Sequence, residues 1–106
     1  MRRERSVLTI RHEPVARRFT AEVEGSAALV HYRELAGRVL DLNHTYVPPA
    51  GRGRGIASQL AAHALRYARD SGYKVLPTCP FIAAYIERHA EYGDLVDRDT
   101  YDRLTS

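Results

Sequence analysis

The sequence predicts an α+β domain in which four antiparallel strands precede a helix, a fifth strand and a second helix. Two observations carry this prediction. The first half of the chain alternates polar and apolar residues with the period of two that β-strands show, whereas apolar residues after position 56 recur with the helical period. The connection from the fourth strand through a helix to the fifth favours a parallel pair. The sheet is therefore expected to be mixed.

The predicted strands open the chain as an antiparallel meander. A glycine-containing turn in "EVEGSA" joins the second and third strands into a hairpin, and "ELAG" turns into the fourth. Phe19, Ala21 and Val23 share one side of the second strand, which marks the side that should face the core. The four strands are predicted at residues 7–11, 18–23, 27–33 and 38–47.

The periodicity becomes helical after two prolines, Pro48 and Pro49, which cannot donate to a β-ladder and end the fourth strand. The first helix is predicted over residues 56–70, with Gly72 at its C-terminal cap. "YKVLP" is the fifth strand and "FIAAYIERH" the second helix. Residues from about 97 to 106 are polar and are expected to form a loose tail.

The length and composition indicate one domain, residues 1–106, whose surface carries both basic and acidic residues. Sixteen basic and 13 acidic residues give a formal net charge of +3. The arginines are spread among acids, which is typical of a solvated surface and not of a nucleic-acid footprint, which needs clustered charge or stacking aromatics. We expect a modest attraction for anions and disfavour nucleic acid as the partner.

The chain has one cysteine, Cys79. A single cysteine gives neither a disulfide framework nor a paired-cysteine metal site, as is usual in a reducing compartment. The N-terminal residues lack the apolar run of a signal peptide, and no segment approaches the roughly 20 apolar residues of a membrane span. We expect a soluble, cytoplasmic protein that binds no metal and no membrane.

The stretch "PPAGRGRGIA", residues 48–57, joins the fourth strand to the first helix. Glycines cost backbone entropy and add no core volume, so three of them in this loop need a compensating role. A glycine-rich turn at a helix N-terminus presents backbone N–H groups and the positive end of the helix dipole, which suit phosphate. Gly51, Gly53 and Gly55 would let a ligand approach the backbone, and Arg52 and Arg54 would add charge. We interpret the loop as a pyrophosphate cradle.

Other functions of this loop fit less well. No Lys-Ser or Lys-Thr pair follows its last glycine, as a P-loop requires, and the strand and acidic residue of a dinucleotide fingerprint are not arranged around it. Arginine-glycine tracts that bind RNA are normally longer and disordered. A flexible surface turn is the remaining alternative, although the helix follows at once.

"RGRGIA", residues 52–57, resembles the acetyl-CoA loop of the GNAT superfamily of acyl-CoA N-acyltransferases, whose pattern is Gln or Arg, two residues, Gly, one residue, then Gly or Ala. Residues 42–96 as a whole are similar to minimal members of about a hundred residues. The resemblance implies a truncated GNAT-like fold, acetyl-CoA as co-substrate, an amine acceptor and an opening between the fourth and fifth strands for the pantetheine arm.

The resemblance also implies which residues hold acetyl-CoA. Backbone groups at the end of the fourth strand would bind the pantetheine and thioester, and an N–H near Val47 would stabilise the oxyanion. The loop and the start of the helix would hold the pyrophosphate. The implied set is Tyr46, Val47, Gly51, Arg52, Gly53, Arg54, Gly55, Ile56 and Ala57.

Two residues are candidates for catalysis. Several minimal relatives read His-Thr-Glu-Val where this chain has "HTYV", and a phenol cannot replace a carboxylate base at neutral pH, which leaves His44 as the candidate base. Cys79 precedes a predicted helix, whose dipole favours a thiolate that could carry the acetyl group as a thioester. A hydrogen-bonded histidine and an inert core cysteine are the structural alternatives.

The resemblance limits the remaining roles. Larger relatives often use a tyrosine of the last helix as an acid, but alignment on "ER" puts Ile86 at that position, so Tyr85, about 100° away around the helix, is predicted to be a core residue. The tail after Val96 is too short and polar to form two further strands around the acceptor, which implies an open site suited to a protein or peptide amine.

A non-catalytic acetyl-CoA-binding module is the alternative function, and a small basic nucleic-acid binder is the third. The oligomeric state is not predicted.

Overall fold

The computed structural model describes residues 8–105. Its sheet has the order β1-β2-β3-β4-β5, antiparallel from β1 to β4 and parallel between β4 and β5, so the predicted mixed α+β fold is confirmed. The predicted first strand begins at Val7, which lies outside the described residues. The elements are β1 (Ile10–Glu13), β2 (Arg18–Val23), β3 (Ser26–Leu35), β4 (Val39–Tyr46), α1 (Ile56–Asp70), β5 (Lys74–Leu76), α2 (Pro80–Arg88) and α3 (Arg98–Thr105), with 3-10 turns at Pro49–Gly51 and Ala90–Leu95.

One face of the sheet packs against α1. Phe19 lies opposite Val30 and Ala21 opposite Ala28, and because directly paired residues share a face, these apolar side chains form one surface. The apolar stripe of α1 packs on that surface in a single core cluster. The buried residues of α1 are Ile56, Leu60, Ala61, Ala64, Leu65 and Ala68.

The other face of β2 and β3 is open to solvent. Thr20 lies opposite Leu29 on this face, and Glu22 lies opposite Ala27. Glu22 and Ala27 are exposed and Leu29 is half-buried, whereas Thr20 is buried, so this face is only partly covered. We call it the open face of the sheet.

The helix α1 ends in a Schellman motif at Gly72. The Tyr73 N–H donates to the Ala68 carbonyl at 2.8 Å and the Gly72 N–H to the Arg69 carbonyl at 3.3 Å, with Gly72 at φ +78°. Glycine adopts this left-handed conformation without the steric cost of a Cβ. The predicted cap at Gly72 is confirmed.

The C-terminal segment is a helix where the sequence predicted a loose tail. Val96 bridges to Val75 of β5, and the Asp97 N–H donates to the Val75 carbonyl, which anchors the start of the segment. The Asp97 carboxylate then accepts from the Thr100 N–H at 3.4 Å, as an N-cap residue does, and Tyr101 packs against the core. The local cap and this one aromatic contact give α3 an order that its polar composition did not indicate.

Aromatic and imidazole rings from β1, β2, β3 and α1 form a cluster. His12 stacks on Phe19 at 4.2 Å between ring centroids, contacts Tyr67 edge-on at 4.4 Å, and its Nε2 is hydrogen-bonded to the Tyr32 hydroxyl at 2.6 Å. Burial raises the pKa of Tyr32 to about 12. Burial, and then the charge of His63, lower the pKa of His12, and burial likewise lowers the pKa of His63.

These lowered pKa values predict acid sensitivity of the fold. The folded chain binds protons at His12 and His63 less well than the unfolded chain does, so their contribution to stability is full above about pH 6.5 and is lost as the pH falls below that value. Urea unfolding measured between about pH 7.5 and about pH 5 should show a falling free energy of unfolding. The His12→Gln variant should show a smaller slope with pH, and the exposed His44→Gln control the wild-type slope. Equal slopes in all three proteins would contradict this account.

Candidate functional site

The loop between β4 and α1 begins as a tight, well-packed turn. The Gly51 N–H donates to the Pro48 carbonyl at 2.9 Å, and the Arg52 N–H donates to the Pro49 carbonyl at 3.2 Å. A Cβ on Gly51 would lie 2.9 Å from Ile56 Cδ1 and 3.1 Å from Val47 Cγ1. Gly51 is therefore required because neighbouring side chains occupy the space, which fixes the loop against the end of β4.

The second part of the loop needs glycine for a different reason. Gly53 and Gly55 have φ angles of +79° and +75°, and a Cβ on either would meet nothing within 4 Å. The first backbone bond of α1 runs from the Gln59 N–H to the Gly55 carbonyl at 3.1 Å. Because the first N–H groups of a helix have no acceptor inside it, those of residues 56–58 are available to a ligand.

These amides border an open cavity of about 270 Å³. Its position at the N-terminus of a 15-residue helix places the positive end of the helix dipole at its wall. Phe81, from the first turn of α2, also lines the cavity. The lining residues are Val47, 51–53, 55–58 and Phe81.

The two loop arginines both bind backbone carbonyls. Arg52 Nε donates to the Val47 carbonyl at 3.0 Å, and Arg54 Nη1 donates to the Ala50 carbonyl at 3.1 Å. Arg54 also lies 3.6 Å from the Glu24 carboxylate and borders an adjoining pocket of about 180 Å³. Of the two, Arg52 alone lines the loop cavity.

Only the first three residues of β4 pair with β5. Val39–Asp41 pairs with Lys74–Leu76, and the Cys79 N–H then donates to the Leu42 carbonyl at 3.0 Å. The strand β4 continues to Tyr46 without a β5 partner in the described chain. A β-bulge at Asn43 lies at the same point, since His31 is opposite His44 whereas Tyr32 is opposite Leu42. An unpaired backbone edge therefore runs from the bulge towards the loop cavity.

Cys79 lies at this point, with 5% of its surface exposed. It precedes the first residue of α2, and its carbonyl accepts from the Ala83 N–H at 3.0 Å. Its Sγ is 3.4 Å from Thr45 Oγ1, a contact that sequence reasoning missed because it joins residues of β4 and the β5–α2 loop. The thiol thus sits at a helix N-terminus beside a hydroxyl and next to the unpaired edge of β4.

His44 and Tyr46 lie on the opposite side of β4 from Thr45, because successive strand residues point to opposite faces. Both are exposed, Tyr46 by 42%. His44 is directly opposite His31, and Tyr46 is directly opposite Leu29, so both belong to the open face. The two candidate catalysts therefore lie at different faces of β4. His44 is a residue of β4 on the open face, and Cys79 contacts Thr45 on the other face.

The profile of the GCN5-related N-acetyl-transferase family matches residues 18–95. The chain belongs to this family. The resemblance seen in residues 52–57 is therefore confirmed, and the matched region includes the loop, the bulge and Cys79.

Individual relatives agree with this membership. Protein NATD1 from Gallus gallus is 36% identical over 84 residues, which cover 77% of this chain and 76% of that protein. Protein NATD1 from Homo sapiens is also 36% identical over 84 residues, 77% of this chain and 74% of that protein. The NMR solution structure of a "GCN5-like putative N-acetyltransferase" from Staphylococcus aureus superposes with a TM-score of 0.63, covering 84% of this chain and 87% of that chain at 24% identity. This last similarity supports the fold.

Within this family fold, Tyr85 has the packing role that the sequence predicted. It is buried, its ring stacks on His89 at 3.9 Å, and burial raises the pKa of its phenol. Residues 8–105 hold no cluster of three or more His, Cys, Asp or Glu side chains that could bind a metal ion. Every helix in that range is too short or too polar to cross a membrane.

The packing of Gly51 predicts a loss of stability that is separate from ligand binding. Gly51→Ala should lower the free energy of unfolding by about 1–3 kcal/mol, because its methyl group would press against Ile56, Val23 and Val47. Gly93→Ala is the matched control, since a Cβ there meets nothing within 4 Å. Chemical denaturation measures both. Equal stability of the two variants would show that the loop can move aside without cost.

Proposed function

We propose that this protein binds acetyl-CoA and transfers its acetyl group to an amine. The observation that carries the proposal is the cavity at the N-terminus of α1, bordered by the loop Gly51–Gly55 and by the free N–H groups of residues 56–58. Backbone amides and a helix dipole suit the pyrophosphate of CoA. Membership of the acetyltransferase family supports the same co-substrate.

The unpaired edge of β4 suits the pantetheine arm. It extends from the bulge at Asn43 to Val47, directly before the loop, so a ligand anchored at the loop would lie along it. Backbone groups of Tyr46 and Val47 would bind the pantetheine amides. The Val47 carbonyl already accepts from Arg52 Nε, which shows that this carbonyl points to where the loop can reach it. When the ligand binds, Arg52 would release the Val47 carbonyl and donate a hydrogen bond to the ligand instead.

Direct transfer is one of two routes open to this site. The amine nitrogen attacks the thioester carbon, a C–N bond forms, the C–S bond breaks, and CoA leaves as a thiolate that takes up a proton. The amine gives up its own proton to a base on the open face, for which His44 is the candidate from the sequence. A backbone N–H near Val47 would stabilise the oxyanion, a contribution of about 3 kcal/mol.

The second route passes through Cys79. Its thiolate attacks the thioester carbon, CoA leaves, and the acetyl group is held on Sγ until an amine displaces the thiolate. Cys79 lies directly before the first residue of α2, and Thr45 Oγ1, at 3.4 Å, is within hydrogen-bonding distance of its Sγ. The thiol is buried, so the acetyl group would have to enter from the β4 edge.

The acceptor in this proposal is an exposed amine of a protein or peptide. His44 and Tyr46 stand on an open sheet face, so a large acceptor could approach them without entering a closed pocket. A cytoplasmic location is also part of the proposal, because the chain has a single cysteine and thus no disulfide framework.

Binding of acetyl-CoA is tested by thermal unfolding. Acetyl-CoA at 100 times its Kd should stabilise the fold by about 2.7 kcal/mol and raise Tm by about 10 °C or more. Gly55→Val should lose most of this shift, because a branched side chain would crowd the phosphate site. Gly37→Val is the matched control, with a φ of +81° and free space around its Cβ, in the turn between β3 and β4 at the opposite end of β4 from the loop. A shift with RNA that salt abolishes, and none with acetyl-CoA, would favour the nucleic-acid binder.

The two chemical routes differ in their demands on Cys79. If the thioester forms, incubation with acetyl-CoA alone should add one acetyl group to the intact protein, removable by hydroxylamine and absent in Cys79→Ala. Intact-protein mass spectrometry measures it. Direct transfer predicts no adduct and an undiminished transfer rate in Cys79→Ala. Tight acetyl-CoA binding with neither adduct nor transfer to any offered amine would instead identify a non-catalytic acetyl-CoA-binding module.

A further inference from the structure

The bulge residue Asn43 holds a histidine that sequence reasoning overlooked. The Oδ1 atom of Asn43 lies 3.0 Å from Nδ1 of His31 on the neighbouring strand. An amide oxygen can only accept, so this contact fits the His31 tautomer that carries its proton on Nδ1 and donates it to Asn43. The other ring nitrogen, Nε2, is therefore left with a free lone pair, which is the protonation state that a general base needs.

His31 also lies on the open face of the sheet, the face on which the proposed function places its base. It is directly opposite His44 on the open face, beside the bulge from which the unpaired edge of β4 begins. Directly opposite residues on neighbouring strands have Cβ atoms about 4.5–5.5 Å apart, so the two imidazoles reach the same region. Within residues 8–105, His44 has no side-chain hydrogen-bond partner that would fix its ring, whereas His31 has one.

The charged groups around His31 are already paired. Arg18 lies opposite it on β2 and is held by Glu13 at 2.5 Å. Arg33, two residues along β3 on the same face, is held by Asp41 at 2.9 Å. His31 is half-buried, so its ring is partly shielded while still reachable from solvent.

We propose that His31, oriented by Asn43, accepts the proton of the attacking amine. The inference rests on the proposed function. As the amine nitrogen bonds to the thioester carbon, its proton passes to His31 Nε2, the C–S bond breaks, and CoA departs as a thiolate. The imidazolium keeps its Nδ1–H bond to Asn43 and later releases the Nε2 proton to solvent or to the CoA thiolate. Asn43 is a positioning residue in this step.

The first test compares the two histidines in amine acetylation at saturating acetyl-CoA. His31→Gln should lower kcat by about 10²- to 10⁴-fold, with the acetyl-CoA Kd unchanged, and should remove the acid limb of the pH profile of kcat. His44→Gln should keep that limb. Glu22→Gln, an exposed change on the same face, is the control and should leave kcat and the profile unchanged. An acid limb that persists in His31→Gln and disappears in His44→Gln would overturn the proposal.

The second test uses Asn43, because a merely structural residue would not alter the pH profile. Asn43→Asp keeps the acceptor and adds a negative charge that stabilises the imidazolium, so the acid limb should move to higher pH with kcat largely retained. Asn43→Leu should lower kcat without that shift. If both variants lose stability equally and leave the acid limb in place, Asn43 does not position His31.

Two readouts on the wild-type protein distinguish failure of this inference from failure of the proposed function. Ring ¹⁵N shifts from NMR report the tautomer without any turnover, and a His31 that carries its proton on Nε2 would overturn the inference alone. Wild-type protein that shows no thermal shift with acetyl-CoA, or no transfer to any amine, would overturn the proposed function and this inference together.

Discussion

The hydrogen bond from the Cys79 N–H to the Leu42 carbonyl fixes the point at which β4 and β5 stop pairing, and the rest of the candidate site is arranged around that point. Up to that bond, β4 and β5 form a parallel pair, and beyond it β4 continues alone. The bulge at Asn43 lies one residue later, and bulges generally bend a strand and increase its local twist. An unpaired edge is normally a liability, and here it leads into a cavity lined by further free amides. The edge and the cavity form one continuous surface of hydrogen-bonding groups.

The alternation of side chains along β4 divides the proposed chemistry between two faces. Thr45 points to the face that carries α1 and contacts Cys79, whereas His44 points to the open face and meets His31. The reacting carbon would lie at the strand edge, between the two faces. A thiol and an imidazole so placed cannot form a hydrogen-bonded nucleophile–base pair, so each would act on the thioester from its own side. This separation is why the Cys79 adduct and the pH profile are independent measurements.

Much of this arrangement is local and could be predicted from the sequence. The helix over 56–70 was predicted with the bounds that the structure has, because its apolar period and its flanking glycines agree. The fifth strand and second helix were placed to within about one residue. The residues that sequence reasoning missed depend on register: Thr45 meets Cys79 across 34 residues, and His31 meets Asn43 through a bulge that shifts the pairing by one. The alternation of polar and apolar residues within a single strand does not reveal such a shift in pairing.

The two loop arginines are charged groups that are also bound to the backbone. Arg52 and Arg54 were expected to add charge to the cradle. Both donate to backbone carbonyls, Arg52 also lines the cavity, and Arg54 lies beside Glu24. The residues at the start of α1 line the same cavity, and their first N–H groups have no acceptor within the helix. A phosphate bound there would meet backbone groups of an already formed helix, which limits the ordering entropy lost on binding. Because Arg52 lines the cavity while its Nε donates to the Val47 carbonyl, a ligand that drew this side chain away would also free the Val47 carbonyl beside the unpaired edge of β4.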